Sequence, residues 1–139
     1  MSSDILNSIA ISAMGMRAQG ARLRVATENI ANADTGPLRP GEDPYRRQII
    51  SFKNEMDRAK GLKLVKVEGI REDLSTPFVD QYLPGHPAAD ANGYVKMPNV
   101  NTMIEMMDAR EAQRSYEANL GMIEQARAMV SRTIDLLRS

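Results

Sequence analysis

The side chains equipped for catalysis or ion binding are few and scattered. His86 is the single histidine and stands between Gly85 and Pro87, a turn-rich setting with no Cys or Ser nucleophile motif beside it, so a general base there would have nothing to activate. An exposed loop residue is the expectation. The pairs Glu72/Asp73 and Glu105/Asp108 have the spacing at which two carboxylates share a cation or divide acid and base work. On a helix with Arg110 and Arg114 nearby, the second pair reads instead as a solvated, ion-paired face. Tyr45-Arg46-Arg47 has the aromatic-basic character of a nucleic-acid contact, yet among eighteen Lys+Arg and eighteen Asp+Glu two arginines more often pair with acids. The phosphate-cradling patterns G-x-x-x-x-G-K-[ST] and G-x-G-x-x-G and the nucleophile elbow G-x-S-x-G do not occur. With no Cys there is no thiolate, no Cys/His metal cage and no disulfide. No catalytic, cofactor-binding or metal-binding residue is assigned, and an enzyme is not expected.

The elements that would position any site follow from composition. The chain has 139 residues, 42% hydrophobic and 26% charged, with no formal net charge; that is about one domain's worth of soluble protein. Zero net charge removes the excess that nucleic acid or an anionic membrane would attract, so neither is an expected partner. No apolar run approaches the ~20 residues of a membrane span, and the N-terminus lacks a basic start followed by an apolar core, so neither membrane insertion nor a cleaved signal peptide is expected. Eight of the ten Met lie before residue 17 or after residue 102, whereas Tyr45, Phe52, Phe78, Tyr82 and Tyr94 lie between. Gly36, Pro37, Pro40, Gly41 and Pro44 interrupt any helix on one side, and Pro84, Gly85, Pro87, Gly93 and Pro98 on the other. This predicts a mainly α chain. Residues 1–35 and 99–139 would form one discontinuous helical domain, paired as a coiled coil, around a small β-rich or irregular module of residues 36–98.

Ile9, Met16, Leu23 and Ile30 recur every seven residues, which predicts one helix from about Asp4 to Ala33 with a seam facing a partner helix. A capping box at Thr102 and Glu105 starts the second helix, in which Tyr116, Ile123, Val130 and Leu137 repeat at seven. These eight residues are the expected intrachain seam, with Ala13, Gly20 and Ala126 permitting close approach. Second apolar stripes run beside them: Ile11, Met14 and Val25 on the first helix, Met122, Met129 and Leu136 on the second. A helix apolar most of the way round is buried on several sides, and the chain is too small to surround ~45 Å of helix at 1.5 Å per residue. The second stripes are therefore the expected inter-subunit interface. In the module, Ile49 to Phe52 and Leu62 to Val67 read as short strands.

Ser12-Ala13-Met14-Gly15-Met16-Arg17-Ala18-Gln19, followed by Glu28-Asn29-Ile30-Ala31-Asn32-Ala33-Asp34-Thr35, resembles the N-terminal signature of the bacterial flagellar axial proteins, the rod, hook and hook-associated family. Asn29, Ala31, Asn32 and Thr35 carry the motif. Tyr45-Arg46-Arg47, His86-Pro87-Ala88-Ala89-Asp90, the run from Gly93 to Asn101 and Arg114-Ser115-Tyr116-Glu117-Ala118-Asn119 extend the likeness to nearly the whole chain, toward the proximal rod. Ile30, where the family commonly has Leu, and the loop from Gly36 to Pro44 depart from it. The resemblance implies a structural subunit of the basal-body rod, an axle that transmits motor torque through the periplasm and encloses the export channel. It further implies export by the flagellar type III apparatus without a cleaved signal. The partners it implies are further copies of the chain and the rod proteins FlgB, FlgF and FlgG.

A cytosolic helical adaptor or export chaperone would show the same helical faces and neutral charge, but would have to fold alone. Solution helicity of the isolated chain separates these readings.

Overall fold

The computed structural model describes residues 2–138. In chain order these form α1 (Ser2–Ala31), β1 (Gln48–Asp57), β2 (Leu62–Glu72), β3 (Val79–Tyr82), β4 (Tyr94–Met97) and α2 (Thr102–Arg138). The architecture is mixed α/β, 49% helical and 21% strand. This corrects the expectation of a mainly α chain with coiled-coil termini and a small insert. The strands are longer and more numerous than the apolar runs suggested, because most of the hairpin is exposed and carries Lys, Glu and Asn that hide any alternation.

α1 ends where Asn32 donates its side-chain amide to the Glu28 carbonyl (2.9 Å) and Thr35 donates its hydroxyl to Asn32 Oδ1 (3.2 Å). These bonds satisfy carbonyl and turn groups that a helix end leaves open, just before Gly36-Pro37. α2 starts at Thr102, but its cap is Asn101, whose Oδ1 accepts from the Met103 and Ile104 amides (3.1 and 3.3 Å). Glu105, read from the sequence as half of a capping box, is turned elsewhere.

α2 packs on α1 and on no strand. Asn29 meets Glu105, Arg22 meets Asp108, and Ile5 and Ser8 share a cavity with Ala126 and Met129, so the helices run antiparallel. The buried positions of α2 are Glu105, Ala112 and Ala126, and Asn119 stands opposite Gly15. These four repeat at seven residues, yet they are small or polar. The large residues expected in the seam sit beside this line: Ile9, Met16, Leu23, Ile30 and Ile123 are half-buried, while Tyr116 and Val130 are exposed. Leu137, 82% exposed, lies past the start of α1. Small side chains let two helix backbones approach, and the bulkier residues are left on the flanks.

β1 and β2 form an antiparallel hairpin with Asp57 opposite Leu62. Its turn is closed by Asp57 Oδ1, which accepts from the Ala59 and Lys60 amides (3.0 and 3.3 Å), and by Gly61 at φ 65°, a conformation that favours glycine. A register shift between Ser51 and Phe52 leaves Glu68 unpaired as a bulge. The hairpin lies along α1. Val25, 4% exposed, lines a cavity with Ile49, Ile50 and Phe52, and half-buried Met14 lines one with Met56 and Leu64. Val25, of the expected outer stripe, is thus covered from within the chain, and Met14 is partly so. β3 and β4 make a separate two-stranded antiparallel sheet.

The glycines of α1 differ in what a methyl group would meet. A Cβ on Gly20 would stand 3.9 Å from the Tyr116 ring, an ordinary contact, whereas one on Gly15 would stand 2.8 Å from the Asn119 amide nitrogen. Close approach belongs to Gly15, not to Gly20. Gly20→Ala is expected to raise stability by up to about 1 kcal/mol through helix propensity. Gly15→Ala must displace Asn119 from its bond to the Ser115 carbonyl, so its urea midpoint should fall below that of Gly20→Ala.

Candidate functional site

Asn29, Tyr45, Arg47, Asp73 and Glu105, five of the residues singled out by the sequence, meet in one buried polar cluster where α1 ends, α2 begins and the hairpin opens. Asn29 is wholly buried and uses both ends of its side chain. Its Nδ2 donates to the Gln48 carbonyl (2.8 Å) and to Glu105 Oε2 (3.0 Å). Its Oδ1 accepts from the Tyr45 hydroxyl (2.8 Å) and the Gln48 amide (2.9 Å). Every hydrogen-bonding capacity of the amide is in use. Burial, with Glu28 and Glu105 nearby, pushes the Tyr45 hydroxyl above its ordinary pKa, so it stays a neutral donor.

Arg47 is the cluster's cation. It donates from Nε to Glu105 Oε1 and from Nη1 to Asp73 Oδ2 (3.4 Å), while its backbone amide donates to Asn99 Oδ1 (2.7 Å). Burial opposes its charge, but Glu105 and Asp73 outweigh burial and hold its pKa above the usual value. Glu105 and Asp73 are 2% and 4% exposed, and buried carboxylates of this kind require such a partner. Arg46 takes the other side, with its guanidinium 4.2 Å above the Phe78 ring and 3.8 Å from Asp43. The Tyr45-Arg46-Arg47 run is therefore engaged by acids and an aromatic ring.

Asp73 was paired with Glu72 as a possible acid couple, but the two part company. Glu72 is exposed. Asp73 Oδ1 accepts from the Ser75 hydroxyl (2.7 Å) and from the Ser75 and Thr76 amides, and Oδ2 accepts from the Thr76 hydroxyl (2.7 Å). The Ser75 and Thr76 hydroxyls, with the backbone donors, hold its carboxyl far below the usual carboxylate range against the effect of burial. The role of Asp73 was not foreseen; the signal available was Asp73-Leu74-Ser75-Thr76, an acid followed by hydroxyls at the spacing of a side-chain-closed turn. Asp108 likewise turns from Glu105 to Arg22 (2.9 Å).

Elsewhere the chemical candidates have structural partners. His86 Nδ1 accepts from the Ala88 amide (3.0 Å) and closes its own loop. Of the motif residues, Asn29 is in the cluster, Asn32 and Thr35 finish α1, and Ala31 is exposed. Among the described residues no three His, Cys, Asp or Glu side chains gather as metal ligands, and no helix is long and apolar enough to cross a membrane. What the cluster can do is mechanical: it joins four segments through charge-assisted bonds at one place.

The family described as flagellar basal body rod FlgEFG protein C-terminal matches residues 91–136, which run from before β4 through most of α2. A flagellar basal-body rod protein FlgC of Agrobacterium fabrum is 52% identical over 129 residues, covering 93% of this chain and 92% of its own. The FlgC of Salmonella typhimurium is 40% identical over 134 residues, covering 95% and 97%. That of Borreliella burgdorferi is 34% identical over 151 residues, covering 96% and 98%. These relatives form a single class, the structural rod proteins of the flagellar basal body. The chain belongs to the FlgC family of that class.

The depressed pKa of Asp73 makes a stability prediction. Its native state binds fewer protons than the unfolded chain, so its contribution is complete above the ordinary value of about 3.9 and is lost as pH falls below it. Asp73→Asn is expected to lower stability at pH 7 by about 1–3 kcal/mol. Urea unfolding of both proteins from pH 7 to pH 2 should show the gap narrowing below pH 4. A constant gap would mean that the carboxylate charge is not what Ser75 and Thr76 recognise.

Proposed function

We propose that this chain is a structural subunit of the flagellar basal-body rod, working by helical assembly with other rod proteins and without turnover. Its family and nearly full-length relatives support the rod assignment. One structural observation carries the mechanism: among the described residues α1 is the one element that α2 packs against, yet Met122 and Met129 are 50% exposed and Leu136 is 77% exposed. Such a face is left for neighbours, and Met side chains adapt to neighbours that are not identical.

The proposed inter-subunit surface is Ile11, Met122, Met129 and Leu136, joined by Val130 and Leu137, which the structure leaves exposed. Val25 and Met14 are withdrawn from it. The helix pair, residues 1–35 with 99–139 of which Met1 and Ser139 lie outside the described residues, acts as one discontinuous domain that lines the export channel, with residues 36–98 as the module beside it. The partners are further copies of the chain, FlgB, FlgF and FlgG, and the type III export apparatus, which delivers the chain to the periplasmic rod without a cleaved signal. Assembly transmits motor torque through these interfaces. A cytosolic adaptor or chaperone has less support, since it offers no use for an α2 flank that one subunit cannot cover.

Three outcomes are expected. In the free subunit, hydrogen-exchange protection should be highest near Asn29 and Glu105 and should fall toward Arg138, because every residue of α2 after Ala126 is exposed; in assembled rods the far end should become protected. Strong, uniform protection of α2 in a dilute monomer would contradict coupled folding and assembly. Met129→Asp should keep the subunit folded and remove it from purified basal bodies, since a charge in an apolar contact goes unpaired. His86→Ala should leave rods and motility in place. Normal rods with Met129→Asp would clear α2 of this role.

A further inference from the structure

We propose that Asn99, with Arg47 beside it, is the positioning residue that sets the angle of the β3–β4 arm against the helix pair. The geometry stands by itself; its consequence, that every copy presents the same surfaces to its neighbours, rests on the reading of the chain as a rod subunit.

β3 and β4 approach neither helix and neither strand of the hairpin. All four residues of β3 are exposed, and a two-stranded sheet of this size does not hold itself together in water. It buries Val95 of β4, 1% exposed, but against neither helix nor hairpin, so its angle to the helices is set by the loop beside it and by the attachments at its base. One attachment is the loop after α1: Met97 Sδ lies 3.2 Å from where a Cβ on Gly36 would stand, and Pro37 and Glu42 line a cavity with Tyr94 and Lys96. A loop of this kind supports the arm but adapts to it. A second is Arg46 above Phe78.

The third attachment is Asn99, two residues beyond β4 and three before α2, and 5% exposed. Its Nδ2 donates to the Asp73 carbonyl (3.0 Å) and the Thr76 carbonyl (2.9 Å), and its Oδ1 accepts from the Arg47 amide (2.7 Å). One side chain thus ties the arm's exit strand to the end of β2 and to the residue before β1. The Asp73 amide donates to the Arg47 carbonyl (2.8 Å), closing the ring, and the Arg47 guanidinium carries the connection to α2 through Glu105. Three directed bonds from one planar group fix an orientation, which apolar contact with a loop does not.

The test is pulsed dipolar spectroscopy between spin labels at Gln81→Cys on β3 and Arg114→Cys on α2, both exposed positions in a chain with no other Cys. The labelled protein should give one narrow distance distribution. Asn99→Ala should broaden it at least twofold, with helicity at 222 nm and exchange protection at Ala112 unchanged. Arg46→Ala should leave it narrow. A broad distribution with Asn99 intact, an equally narrow one with Asn99→Ala, or equal broadening by Arg46→Ala would each overturn the assignment. Asn99→Ser, which keeps an acceptor for the Arg47 amide, serves if Asn99→Ala does not fold: loss of helicity in both variants would make Asn99 a stability residue and end the proposal. A protein with the expected distances that is absent from basal bodies would count against the rod reading and leave the joint standing.

Discussion

Glu105 places a carboxylate where water does not reach it, and the rest of the structure is arranged around meeting that charge. A buried carboxylate deprived of its partner costs on the order of 3–5 kcal/mol, so the segments that supply its partners are held together. Asn29 comes from the last turns of α1, and Arg47 from the residue before β1. Through Arg47 the same constraint reaches Asp73 at the end of β2 and Asn99 before α2. A well-packed apolar contact of equal volume would often be as stabilising. What the polar cluster adds is direction, because each bond is made at one angle and one register only.

Direction matters because the helix contact alone specifies little of it. The face of α2 turned to α1 holds Ala112 and Ala126 with Asn119 between them, a small-residue line that repeats at seven residues and presents few distinctive shapes. The polar contacts Asn29–Glu105 and Arg22–Asp108 stand at one end of it. At the other end, every residue of α2 from Arg127 to Arg138 is exposed.

The two β arms illustrate the same dependence on α1 and its cluster. A hairpin in isolation is marginal, and β1–β2 gains its cover by lying on α1 over Val25, next to buried Leu64. The β3–β4 arm lies on neither helix; it buries Val95 beside the loop after α1 and is tied at its base by Asn99. Differences of this kind within one small module separate a part seated on a helix from a part set at an angle to it.

The sequence by itself determined a good deal. Its Gly and Pro clusters marked the three segments, the apolar repeats marked both helices to within a few residues, and the motif from Asn29 to Thr35 with the later segments pointed to the flagellar axial family. It also placed more apolar surface on the second helix than one chain covers. Tertiary structure decided which stripe lies inside. Both helices carry several series at the same spacing, and period alone does not rank them; the backbones approach along the smallest side chains, so Gly15 and Ala112 stand on the central line while half-buried Leu23, and Tyr116, whose ring reaches Gly20, flank it. Ile49 to Phe52 and Leu62 to Val67 were legible as strands, but the rest of the hairpin was not, because an exposed ribbon has no buried face to impose alternation on Lys53 to Asp57. The polar cluster was hidden for a different reason: Asn29, Arg47, Asp73 and the Asn99–Glu105 stretch lie far apart in the chain, and only the fold brings a carboxylate at one point to the guanidinium that must neutralise it.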